Sequence, residues 1–238
     1  PERLSVDIGP VIDAEAKAGI EKHIQAMRDK GRNVYQVAIA DGEEIKRGTF
    51  VMPTLIELAS FDELQREIFG PVLHVVRYNR KNLDQLIEQI NASGYGLTLG
   101  VHTRIDETIA KVIDNVNAGN IYVNRNIVGA VVGVQPFGGE GLSGTGPKAG
   151  GPLYLHRLLS TRPADAIEQS FQRGDGDNAP DTRMREELSK PLQAFKAWAE
   201  SNKLSDVVSL CEQFARQSQS GISRLLAGPT GERNSYTI

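Results

Sequence analysis

The groups best placed to do chemistry in this sequence are backbone amides rather than reactive side chains. From Asn124 to Gly151 the chain reads NRNIVGAVVGVQPFGGEGLSGTGPKAGG, and nine of its 24 glycines fall between Gly129 and Gly151. Each glycine gives up more backbone freedom on ordering than any other residue, so no packed helix or strand tolerates that density and the segment must be a loop. Patterned elements flank it, and Val131, Val132, Val134 and Phe137 offer apolar anchors, so an ordered loop presenting N–H groups to a ligand is expected. At Gly129-Ala130, small residues expose consecutive amides able to hold a carboxylate without a cationic side chain. Phe137, between Pro136 and Gly138-Gly139, either walls an apolar pocket or anchors in the core, and on pattern alone anchoring is the stronger reading.

Other candidates carry less. Gly139-Glu140-Gly141-Leu142-Ser143-Gly144 spells G-x-G-x-x-G, and Asp165 follows at a suitable distance. The preceding strand ends too early, however, and Gly144, Gly146 and Pro147 forbid the helix whose N-terminus would hold a pyrophosphate. A phosphate-binding P-loop fails because Pro147 stands where a lysine belongs; a tight corner packing one backbone on another accounts better for this half of the loop. Cys211, the single thiol, falls among Val207, Val208 and Phe214 on one helix face and reads as a small core residue rather than a nucleophile. Glu67, before a Gly-Pro turn, is able to accept hydrogen bonds from sugar hydroxyls but reads on pattern alone as a solvated charge. His23, His74, His102 and His156 are scattered along the chain and show no metal-ligand spacing with Cys211, so no metal centre is expected.

The elements that position these residues follow from periodicity. Ile12, Ala16, Ile20, Ile24 and Met27 recur at helical spacing, with Asp13 as N-cap and Gly31 as terminator. Asn33 to Ala40 and Thr49 to Leu58 have strand composition and suggest a hairpin-like pair with a turn at Asp41-Gly42; Pro53 marks the second segment as an edge or a bulge. After the apolar run Val72 to Val76 come a helix through Leu83, Leu86, Ile87 and Ile90 with Asn82 and Gln85 in capping-box positions, a strand over Leu97–Val101, a helix through Ile109, Val112, Ile113 and Val116, and a strand over Gly119–Asn124. That alternation predicts an α/β fold with a parallel sheet, whose ligands bind beyond the carboxyl ends of the strands, where the glycine-rich loop departs. The segment from Arg173 to Pro180 reads as linker, and two amphipathic helices follow, one through Met184, Leu188, Leu192, Phe195 and Trp198 with a kink or restart at Pro191, the other through Leu204, Val207, Val208, Cys211 and Phe214. The division is therefore 1–168, a linker over 169–182, and a helical segment over 183–238 with too few partners for a core of its own.

A net charge of -3 and a pI near 5.9 leave no basic stripe for nucleic acid or an acidic membrane. No apolar run reaches the roughly 18 residues of a membrane span, and a cytoplasmic location is expected. The chain begins at Pro1 and stops as a strand-like pattern starts at Ser235, which suggests a piece of something longer.

Glu67-Ile68-Phe69-Gly70-Pro71-Val72, followed by Pro136-Phe137-Gly138-Gly139, resembles the C-terminal half of the catalytic domain of the aldehyde dehydrogenase superfamily. Asp7-Ile8-Gly9-Pro10-Val11-Ile12 and the string from Gln135 to Pro152 look like the L-glutamate γ-semialdehyde (pyrroline-5-carboxylate) dehydrogenase module of the bifunctional, proline-catabolic proline utilization A family. The resemblance is strong from Pro1 to Ala166, and Gly228 to Asn234 looks like the start of the extra C-terminal domain of longer members. It implies NAD as cofactor, with Glu67 on the nicotinamide-side ribose and Phe69 beside the nicotinamide. It implies too that the Gly129 and Ala130 amides anchor the substrate's α-carboxylate and that Phe137 lines the aldehyde tunnel. In such enzymes a cysteine thiolate adds to the aldehyde, hydride passes to NAD, and a glutamate-activated water hydrolyses the thioester. No cysteine precedes Asp7, so that nucleophile, its glutamate and a module carrying FAD are expected in an upstream part of the same polypeptide, within a homo-oligomer, and the piece alone is expected to be inactive. A non-catalytic oligomerisation or docking module, and an aldehyde dehydrogenase of other specificity, are the competing expectations.

Overall fold

The computed structural model describes residues 8–38, 47–161, 163, 182–217, 223–226, 228 and 231–237, with backbone alone over 182–189 and 216–217. They divide into two units: one up to Gly94 together with 114–116, the other over 95–113 and from Asn117 onward.

The first unit is built on helix α1, Ala14–Asp29. Asp13 caps it as its spacing predicts, the carboxylate accepting from the Ala16 amide at 2.7 Å, and Gly31 ends it at φ +72°, a conformation that costs glycine nothing. Its apolar stripe, Ile20, Ile24 and Met27, packs with Val51, Ile56 and Leu58 into the unit's core. Burying Ile56 completely is worth about 2–3 kcal/mol. Strands β1 (Asn33–Gln36), β2 (Thr54–Leu58) and β3 (Val72–Val76) form a sheet in that order, β1 antiparallel and β2–β3 parallel. The expected hairpin-like pair is present, and the turn at Asp41-Gly42 lies outside the described residues. The edge assignment for the second segment is corrected, because β2 is the central strand. Pro53 stands just before it, where its missing N–H breaks no ladder bond and its carbonyl accepts from Val37 at 3.0 Å. Helix α2, Leu83–Ala92, follows a short 3-10 turn. The capping box at Asn82 and Gln85 does not form; Asn79 caps the preceding turn instead, accepting from the Lys81 amide, because the chain already coils before Asn82.

The first unit also corrects the picture of scattered histidines. His23 on α1 and His74 on β3 meet Nε2 to Nε2 at 2.8 Å, their rings nearly edge to face. Burial holds His23 below the usual histidine range, helped by Arg66 and Lys30; burial, then His23 itself, does the same to His74. One ring N–H fits between the two nitrogens, so the contact is broken when both rings are protonated, and burial favours the neutral rings over any charged form. The unfolded chain takes up protons near the ordinary value of 6.5, before the folded one does, so stability is full above that pH and is lost as pH falls through 6.5 and on through the lowered folded values. Urea denaturation of the full chain is expected to give a lower midpoint at pH 5 than at pH 8, with His74→Gln flattening the difference; an unchanged pH profile in that variant refutes the assignment.

In the second unit, strands β5 (Thr98–Val101) and β6 (Asn120–Val123) pair in parallel. Helix α3, Asp106–Asn115, lies between them in sequence, as a parallel pair requires. Two-residue strands β4 (Tyr95–Gly96) and β7 (Glu140–Gly141) pair antiparallel. The expected linker over 169–182 lies, apart from Thr182, outside the described residues. Helices α4 (Thr182–Ser201), unbroken through Pro191, and α5 (Ser205–Gln217) are joined by a Lys196–Glu212 ion pair at 2.6 Å. Val207, Val208 and Cys211 are half-buried rather than buried, and Phe214 is exposed: two helices alone do not enclose that face. Strands β8 (Ser223–Leu226) and β9 (Asn234–Thr237) form an antiparallel pair, of which the sequence pattern announced only the second. Among the described residues, no helix is long and apolar enough to cross a membrane.

Candidate functional site

Strand β6 delivers the glycine-rich loop, and an asparagine at each end of the strand fixes how. At its exit Asn124 takes φ +54°, a left-handed conformation that asparagine tolerates, and its carboxamide clasps Thr103 through both N–H and carbonyl at 3.0 Å. At its start Asn120 donates from Nδ2 to the Pro136 carbonyl at 2.8 Å and accepts at Oδ1 from the Gly138 amide at 3.1 Å. Between those two contacts, Phe137 exchanges both backbone hydrogen bonds with Ala149, at 3.0 and 2.8 Å. Phe137 is half-buried, its main chain fixed from two sides.

The expected valine anchors are corrected. Val131 is exposed and Val132 is 97% exposed, leaving Val134 as the half-buried one. Hydrogen bonds hold the loop instead. Gln135 accepts from the Val131 amide at 3.0 Å and donates to Glu232 and Asn234, while Ser143 Oγ accepts from the Gly96 amide at 3.0 Å. The half-buried Lys148 ammonium donates to the Gly119 carbonyl; burial lowers its pKa, with Glu140 pulling the other way.

The second half of the loop is the backbone-on-backbone corner that its composition suggests. A Cβ on Gly119 would strike the Gly138 carbonyl, and one on Gly139 would lie 2.5 Å from Ser143 Cβ. No helix forms after Gly139, so the G-x-G-x-x-G spelling has no structural counterpart.

Gly129 and Ala130 lie half-buried between Val128 and Val131, and among the described residues neither amide has a hydrogen-bond partner. The space beside Gly129 is open, with no atom other than those of its immediate chain neighbours within 4 Å of where a methyl group would stand. Two successive amides without acceptors suit an anion. Gly129, Ala130 and Phe137 thus share one loop of the second unit. Glu67 and Phe69 belong to the first, on the irregular segment before β3; Glu67 is exposed and Phe69 is 82% exposed. That exposed carboxylate and exposed ring, two residues apart, are chemically suited to a ribose diol and a planar heterocycle. Among the described residues, no group of three or more His, Cys, Asp or Glu side chains is placed to hold a metal.

Sequence reasoning missed Asn120, Asn124, Ser143 and Lys148. For Asn124 a signal existed, an asparagine where a strand enters a loop; for the other three the partner is remote and unpatterned.

The family model "Aldehyde dehydrogenase family" matches residues 1–163. The bifunctional protein PutA of Klebsiella aerogenes is 66% identical over all of this chain, and the chain spans 18% of that relative's length. The 1-pyrroline-5-carboxylate dehydrogenase of Bacillus subtilis (strain 168) is 37% identical over 65% of this chain and 29% of its own length. A crystal structure of a mutant Bradyrhizobium japonicum Proline Utilization A superposes with a TM-score of 0.58 at 55% identity, over 63% of this chain and 15% of the other. The matched strands, helices and glycine-rich loop therefore make this chain a member of the aldehyde dehydrogenase family.

Proposed function

We propose that this chain is the carboxy-proximal part of an L-glutamate γ-semialdehyde dehydrogenase, which oxidises that aldehyde to L-glutamate with NAD in proline catabolism. The observation that carries the reading is the pair of half-buried amides at Gly129 and Ala130, without a hydrogen-bond partner among the described residues, with open space beside Gly129. They bind the substrate's α-carboxylate, and Phe137 packs along its aliphatic carbons. Glu67 accepts hydrogen bonds from the nicotinamide-side ribose and Phe69 packs beside the nicotinamide ring; NAD, when bound, supplies the hydride acceptor. The nucleophilic thiol and the base that activates water come from elsewhere in a longer polypeptide, whose FAD belongs to a separate module, and the whole works as a homo-oligomer. Similarity to proteins named PutA and 1-pyrroline-5-carboxylate dehydrogenase supports this assignment.

A feature of the first unit supports the need for more polypeptide. Tyr35, Leu55 and Leu73 stand in register across β1, β2 and β3 on the sheet face opposite the α1 core, and Tyr35 and Leu73 are exposed. Sheets with parallel pairing are ordinarily covered on both faces.

The test uses the full-length enzyme. Ala130→Leu is expected to lower kcat/KM for L-glutamate γ-semialdehyde on the order of a hundredfold, by crowding the carboxylate off its amides, while lowering it for pentanal only a few-fold. Equal losses for both aldehydes would sink the carboxylate assignment and favour an aldehyde dehydrogenase of other specificity.

A further inference from the structure

We infer that Asn120 is a positioning residue of the substrate loop, its carboxamide setting where Phe137 and, through the loop, the Gly129 and Ala130 amides stand; this rests on the carboxylate-anchor reading above. A carboxamide offers one donor face and one acceptor face, as a peptide unit does. Asn120 uses both on successive peptide groups of the loop, Pro136 C=O and Gly138 N–H, and so acts as a one-residue strand laid against Phe137. With Ala149 taking Phe137 N–H and C=O from the other side, all four backbone groups from Pro136 C=O to Gly138 N–H are satisfied.

Asn120 is itself immobilised. It opens β6 opposite Thr98 on β5, and its own N–H donates to the Leu97 carbonyl at 3.0 Å. The position of the parallel pair is thereby passed to a loop whose valines supply little burial to fix it. Asp at this position keeps an acceptor for Gly138 N–H but sets oxygen against the Pro136 carbonyl; Ala leaves both loop groups unpaired, Pro136 among buried surroundings.

In the full-length enzyme, Asn120→Ala and Asn120→Asp are each expected to raise KM for L-glutamate γ-semialdehyde on the order of tenfold. The KM for NAD should stay within about twofold and the kcat/KM for pentanal, which meets Phe137 but not the carboxylate anchor, should fall only about two- to three-fold, so that the preference for the acidic aldehyde falls. Hydrogen exchange should show the Gly138 amide losing protection while the Ile121 amide keeps its own. Ala130→Leu runs alongside. If Ala130→Leu removes the preference and the Asn120 variants retain it, the role of Asn120 is overturned and the anchor stands; if Ala130→Leu leaves the preference intact, both fall. Equal loss on both aldehydes in the Asn120 variants, or failure of both variants to fold, assigns Asn120 to stability alone and overturns the inference.

Discussion

Gly119→Ala is expected to destabilise the full-length protein by about 3 kcal/mol or more and to abolish turnover of the acidic aldehyde in whatever folds. The added methyl has nowhere to go. It would overlap the Gly138 carbonyl and crowd Gly139 Cα, both backbone atoms with no rotamer to change. Neither side yields cheaply, since Gly119 donates to the Gly96 carbonyl at 2.9 Å and accepts from Lys148, while Gly138 is held by Asn120. The clash is relieved only by moving the loop away from β6, which displaces Phe137. Gly31→Ala, with open space around it but φ +72°, serves as a comparison in which conformational strain acts without overlap; about 1 kcal/mol is expected there. Thermal unfolding of the two variants separates the cases, and a Gly119→Ala protein as stable as Gly31→Ala would show that the corner is looser than described.

The second large effect is an absence of activity. The 238-residue chain purified alone is expected to give no NAD-dependent oxidation of L-glutamate γ-semialdehyde, against an uninterrupted polypeptide that turns it over, and Cys211→Ser is expected to change neither. Thioester chemistry needs a thiolate held against the carbonyl carbon, with amide or side-chain donors waiting for the developing oxyanion. Cys211, the chain's single cysteine, lies half-buried on α5 between Val207 and Phe214. Lys196 is in its electrostatic range and bonded to Glu212. Turnover by the chain alone that disappears in Cys211→Ser would overturn both the assignment of the thiol and the division of labour proposed for the polypeptide.

What the sequence determined by itself is what local periodicity and backbone preference encode. The stripe from Ile20 to Met27 with Asp13 before it and Gly31 after it left α1 one arrangement, and the structure has it. The alternation around Leu97–Val101, Ile109–Val116 and Gly119–Asn124 contained the parallel pair, because a helix between two strands forbids a tight hairpin. Glycine density made residues 129–151 a loop, and the strings at Glu67–Val72 and Gln135–Pro152 carried the family. Tertiary structure decided the rest wherever the deciding contact joins residues with no shared period. Pro53 reads as an edge marker, yet β1 and β3 add to both sides of the strand that follows it, since the proline precedes the ladder. Three valines and a phenylalanine read as greasy anchors, yet the loop is stitched by Asn120 to residues 16 and 18 positions away and by Ser143 to one 47 positions away. His23 and His74, 51 positions apart, meet for the same reason. Periodicity reports which face of an element is apolar; it says nothing of which polar group on one element finds a carbonyl on another, and that pairing fixes the Gly129–Ala130 loop.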